Sequence, residues 1–193
     1  RADVSIAAHH GFHAGIGMAM LAFSVHEGST TFDSESAQIT STRFAAELEE
    51  IIAGEAWGCM DITEPHAGSD MAAMRTKAEQ DEDGNWTVSG TKVFITSGHG
   101  KYHFVICRTE ADKDGLDALS MFLVPAWAVD SDGNRQRTAH LDAIENKLGH
   151  KGSATMMVRF DGSPAQLIGE RGSGFQQMLL LMNNARVGVG FEC

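Results

Sequence analysis

The 193-residue chain is long enough for one or two compact units with a real core, and 42% hydrophobic with 21% charged residues is ordinary for a globular protein. A formal net charge of −11, from 26 acidic and 15 basic residues, excludes a general binder of nucleic acid or anionic membrane, though a few local donors can still hold a small anion. No apolar run reaches the ~18 residues that span a bilayer, and no basic region leads into the apolar stretch 15–25 as it does in a signal peptide.

In chain order, residues 4–53 read as helical. An Ala/Gly/Met-rich stretch is interrupted at Gly28, Ser29 and Thr30, and a second helix is expected over 36–53. There Phe44, Leu48, Ile51 and Ile52 recur at helical spacing, with Glu47, Glu49 and Glu50 off that stripe, and the small residues predict close helix packing. From 54 to 168 the texture changes to short strands and turns. Asp81, Glu82, Asp83, Gly84 and Asn85 form a turn signal between strands expected at 76–80 and 86–96. In the second run Trp86, Val88 and Gly90 share one parity, followed by Lys92, Phe94 and Thr96; further strands are expected at 103–108, 119–124 and 154–160. Short strands separated by turns predict an antiparallel barrel or sandwich. The helical period returns at 174–190, with Phe175, Met178, Leu179, Met182 and Arg186 on roughly one face and no clear stop signal from Val189 to Cys193. With Arg rather than Met at position 1, the chain is expected to be a piece of a longer polypeptide. Three distant cysteines, Cys59, Cys107 and Cys193, predict no disulfide framework and a reducing cytoplasm.

Two segments carry chemistry. In 59–70, CMDITEPHAGSD, Pro65 pushes Glu64 out of the helical region and Gly68 frees the backbone, while Ser69 or Asp70 is placed to cap a short turn at 71–75. Such a segment is either a surface turn or a seat for phosphate on free N–H groups. In 90–98, GTKVFITSG, a strand ends in a Thr-Ser-Gly bend beside an aromatic side chain. That is an ordinary amphipathic strand, or the flat contact and edge donors that a flavin ring requires. His9 and His13 at i,i+4 lack a completing carboxylate, and His99 and His103 read as loop residues, so no metal site is expected.

These segments, followed by NKLGHKGSATMMVRFDG at 146–162 and LIGERGSGFQQMLLLMNNAR at 167–186, resemble the acyl-CoA dehydrogenase family in order and spacing, from about residue 54 to the C-terminus. In style the chain is similar to the large bacterial branch that includes methylthiopropanoyl-CoA and long-chain acyl-CoA dehydrogenases. The resemblance implies an α+β fold: residues 1–53 from an N-terminal helical domain, 54–168 an antiparallel β-barrel middle domain, and 169–193 the start of a C-terminal helical bundle. It implies FAD between barrel and bundle, an acyl-CoA substrate oxidised to the trans-2-enoyl-CoA, and a place in fatty acid metabolism. A carboxylate takes the α-proton, a hydride leaves to the flavin, and hydrogen bonds to the thioester carbonyl stabilise the enolate. Electrons then pass to an electron-transfer flavoprotein, in a cytoplasmic bacterial homo-oligomer, dimer or tetramer.

Residue by residue, the resemblance implies that Met60, Ile62, Thr63, Ser69, Phe94, Ile95 and Thr96 contact the cofactor, with Phe94 where the family usually has Trp. It implies Ser69, Thr109, Asn183 and Arg186 beside the substrate, and His66, in place of the usual glycine or alanine, near the cofactor. Met178 and Met182 are expected in the core, and Glu64 as part of the loop. The position where one branch carries its catalytic Glu is Ala185, so the base is expected beyond Cys193, leaving the 193 residues inactive and weak in FAD binding by themselves. The alternatives are an acyl-CoA oxidase and an inactive relative that serves as a binding or assembly module.

Overall fold

The computed structural model describes the backbone of residues 4–110 and 112–190, and side chains from Gly15 onward except at 111, 184, 187–189 and 191–193. The side chains of His9, His10 and His13, and all of Cys193, lie outside the described residues. The elements are α1 (Val4–His26), β1 (Thr30–Asp33), β2 (Gln38–Thr42), α2 (Ala45–Ile52), β3 (Gly58–Asp61), β4 (Lys77–Gln80), β5 (Trp86–Thr96), β6 (Tyr102–Arg108), β7 (Leu119–Pro125), β8 (Trp127–Val129), β9 (Arg135–Arg137), β10 (Ala139–Ile144), β11 (Thr155–Ile168) and α3 (Gly174–Gly190). Among the described residues no helix is long and apolar enough to cross a membrane.

The helix expected over 36–53 is corrected: a β-hairpin comes first, and the helix begins only at Ala45. β-Branched residues explain the difference, because Thr30, Thr31, Ile39 and Thr42 are stiff at χ1 and pair across the two strands, with Thr40 at the bulge bonding Thr31 through its hydroxyl. Asp33 folds the connection by accepting hydrogen bonds from Glu35 N at 3.0 Å and Ser36 Oγ at 2.6 Å. In α2 the apolar stripe buries Phe44, Leu48 and Ile51, while Ile52 is 83% exposed.

The expected antiparallel barrel is likewise corrected. Seven strands form a mixed sheet in which β3 and β4 both pair with β6 in parallel. The chain visits β4 and β5 between β3 and β6, so it returns along β3 in the same direction, a pairing no local turn signal encodes. Hydrogen-bonded pairings run from β11 to β5, β4, β6, β7 and back to β11. The long β11 makes this possible by pairing with β5 along its first part and with β7 through Gln166, Leu167 and Ile168.

This arrangement creates two cores. Alternate residues of β6 and β7 diverge: Phe104, Ile106, Met121 and Leu123 join Ile16, Met20, Phe44 and Met178 beneath the helices. Val105, Cys107, Phe122 and Val124 join Val88, Ile95, Val158 and Phe160 inside the sheet. Strands buried on both faces read as continuous apolar runs, as MFLV in β7 does. The helices approach closely, as their small residues predict: Gly17 of α1 meets Ile51 of α2, and any Cβ at Gly58 of β3 collides with Ile16.

Candidate functional site

β3 leads into the 62–67 loop, which a buried ion pair fixes in place. Lys92, 0% exposed on β5, donates from Nζ to Glu64 Oε1 at 2.9 Å, to the Ile62 carbonyl at 2.9 Å and to the Ile106 carbonyl at 2.8 Å. The Glu64 carboxylate also accepts from Arg75 N at 2.8 Å and Thr76 N at 3.0 Å, and His66 Nε2 lies 3.3 Å away. Burial pushes the Glu64 pKa up, but the Lys92 charge and these hydrogen bonds outweigh it and hold the carboxyl below its ordinary value. Such a carboxylate is a clamp, not a free base. Val93 N donates to the Thr63 carbonyl at 2.8 Å, bringing the loop against β5.

At that contact β5 departs from regular geometry. Its register with β11 shifts between Lys92 and Ile95, so two residues, Val93 and Phe94, oppose one. Phe94 adopts φ +62° and Ser97 φ +60°, left-handed conformations that are costly for side-chain-bearing residues. The bulge breaks the alternation expected of Lys92, Phe94 and Thr96: Lys92 and Ile95 turn inward while Phe94 stands 62% exposed. An aromatic ring is thus held outward on a strained backbone.

The ring borders a cleft of about 160 Å³ lined by Met60, Ile62, Thr63, Phe94, Ile95, Thr96 and Met182. Its lining mixes apolar and aromatic side chains with polar surface, its polar side chains are two threonine hydroxyls, and none of the seven lining residues carries an ionisable group. The cleft therefore offers apolar contact and hydrogen bonding rather than proton transfer by a side chain. Six of the seven residues expected to contact a cofactor meet here, from two segments more than thirty positions apart. Met182, assigned to the core on sequence, lines the cleft from α3; Met178, one turn earlier, is core.

The other expected site residues lie outside the lining. Ser69 is exposed before a single 3₁₀ turn, Met71–Ala73, whose N-cap Asp70 makes no side-chain capping bond, contrary to the capped turn expected there. Thr109 Oγ1 bonds Ser120 Oγ at 2.7 Å, and Arg171 Nη2 reaches its carbonyl. Asn183 and Arg186 are exposed on α3 and bond each other at 2.9 Å. His103, read as a loop residue, is 0% exposed in β6; the strand signal around it was present, but its burial depends on pairing with β3 and β7.

A sequence profile described as "acyl-CoA dehydrogenase, middle domain" matches residues 59–163. The chain is 36% identical over 152 residues to a 3-methylmercaptopropionyl-CoA dehydrogenase of Ruegeria pomeroyi, covering 75% of this chain and 26% of that protein. It is 38% identical over 154 residues to a broad-specificity linear acyl-CoA dehydrogenase of Mycobacterium tuberculosis, covering 72% of this chain and 25% of that one. It thus spans about a quarter of the length of these curated relatives. Among solved structures, butyryl-CoA dehydrogenase from Megasphaera elsdenii superposes with a TM-score of 0.67 at 25% identity, over 89% of this chain and 41% of that one. The matched profile covers the two segments that supply six of the seven lining residues, and the chain belongs to the acyl-CoA dehydrogenase family.

Proposed function

We propose that this chain supplies the flavin-facing part of an FAD-dependent acyl-CoA dehydrogenase. One observation carries the reading: the end of β3, the loop after it and the bulged end of β5 converge on a cleft with no ionisable side chain and an outward phenylalanine at its border. The donor set fits a flavin ring, with Phe94, Met60, Ile62 and Met182 for its faces and the Thr63 and Thr96 hydroxyls for its polar edge. When bound, FAD supplies the hydride acceptor for α,β-dehydrogenation of an acyl-CoA thioester.

The chain's own residues bind and orient. The Glu64–Lys92 clamp holds the loop bearing Ile62 and Thr63, and the bulge aims Phe94 away from the inner core. Ala185 offers no carboxylate on α3 and Glu64 is fully engaged, so the α-proton is taken by a residue outside these 193. We assign 1–53 to the N-terminal domain, 54–168 to the middle domain and 169–193 to the start of the C-terminal bundle. The whole protein is assigned an acyl-CoA substrate, an electron-transfer flavoprotein as acceptor, a homo-oligomeric state and a cytoplasmic location.

The test is anaerobic mixing of acyl-CoA thioesters with the natural polypeptide that carries this segment. The flavin absorbance is expected to bleach within seconds and to recover slowly in air. Rapid recovery with peroxide formation identifies an oxidase, and no bleaching with any acyl-CoA overturns the reading.

A further inference from the structure

Inside the sheet, on the opposite side of β3 from the cleft, lies a polar cluster that the cleft does not use. Cys59 and Asp61 share one face of β3, and His103 on β6 is the direct register partner of Cys59. All three are 0% exposed. Cys59 Sγ lies 3.2 Å from Asp61 Oδ1 and 3.1 Å from His103 Nδ1, and His103 Nδ1 lies 3.0 Å from Asp61 Oδ2. The surroundings are apolar, with the Phe160 ring nearly perpendicular to the imidazole at 5.5 Å.

Hydrogen bonds alone satisfy this cluster poorly. A buried carboxylate needs a compensating charge, and a thiol is a weak donor. Among the described residues no Lys or Arg pairs with Asp61, whose ion-pair partner is His103 at 3.0 Å. One divalent cation supplies that charge: the thiol proton is released to solvent, thiolate plus carboxylate offset the two charges, and the neutral ring ligates through Nδ1 with its proton on Nε2. The geometry permits it, because Cys59 Sγ and His103 Nδ1 lie 3.1 Å apart with an Asp61 carboxylate oxygen 3.0–3.2 Å from each, close enough for one ion to reach sulfur, nitrogen and carboxylate at about 2.0–2.3 Å.

We propose that Cys59, Asp61 and His103 form a buried three-ligand site for a borderline-soft divalent cation of the zinc type, stapling β3 to β6 behind the cleft. Sulfur and imidazole ligands select zinc over magnesium or calcium. The sequence reading, which expects no metal, did not bring these residues together because His103 is 42 positions from Asp61 and only the parallel pairing joins them.

The test is elemental analysis and zinc-edge X-ray absorption of the natural polypeptide after growth with added zinc. The expected result is about one zinc per chain with a first shell containing sulfur. Cys59→Ser and His103→Gln should lower the zinc content about tenfold or more, while Cys107→Ser, equally buried but outside the cluster, should retain it. Folded wild type with less than about a tenth of an equivalent, or zinc that survives Cys59→Ser, overturns the site. Should Cys59→Ser fail to fold, the wild-type absorption decides alone: a shell without sulfur overturns the proposal.

Discussion

Phe94 sits at φ +62° with a largely exposed ring, an arrangement that core packing does not require. The strain is backbone in origin, so glycine should relieve it and alanine should not. Phe94→Gly is expected to be more stable than Phe94→Ala by about 1 kcal/mol in urea unfolding, although both lose the aromatic wall. Equal stability of the two would show that the bulge is not strained. Lys92 presents the opposite case, a cation sealed in the core by Glu64 and two carbonyls. Lys92→Met leaves the Glu64 charge uncompensated and should cost about 3–5 kcal/mol, with part recovered by adding Glu64→Gln.

The same pair sets a pH dependence. Glu64 is held below the ordinary carboxylate value of 4.5 in the folded state, so its contribution is fully present above about pH 4.5 and is lost as pH falls through the lower folded value. The stability gap between wild type and Glu64→Gln should therefore shrink on acidification below 4.5, as followed by urea unfolding at a series of pH values. A gap that widens would contradict the assignment. None of this was visible in the residue pattern, which placed Lys92 on the same face as Phe94; the bulge that separates them arises from pairing with β11.

Among elements, α3 and β5 were legible to the residue, because each has strong periodicity and glycine or turn boundaries. The β1–β2 hairpin and the parallel β3–β6 pairing were not. In the first, a helical period spanning Phe44 to Ile52 masked the preceding β-branched run; in the second, the partners are far apart in sequence. The docking of α3 depends on Gly174, where an added Cβ falls 2.5 Å from the Ser120 carbonyl carbon and 2.7 Å from its Cα. Backbone cannot yield as a flexible side chain does. Gly174→Ala is thus expected to destabilise by about 1–3 kcal/mol in denaturant titration, and because α3 carries Met182, to weaken flavin binding as well.

Across the molecule, two cores share β6 and β7 and leave the cleft at the seam between helices and sheet. Six of the seven residues lining the cleft were legible as two motifs in order. Their convergence was not, since it needs the Val93–Thr63 hydrogen bond and the arrival of α3. Ser69, Asn183 and Arg186, expected beside the substrate, are exposed, and Thr109, expected there too, bonds Ser120 and is not among the lining residues. The proposed flavin seat is best tested by titrating FAD into the natural polypeptide and its Phe94→Ala variant, following flavin fluorescence. The account predicts one flavin per chain and an affinity at least about tenfold weaker in the variant, equivalent to ~1.4 kcal/mol. An unchanged affinity would place the flavin elsewhere and contradict it.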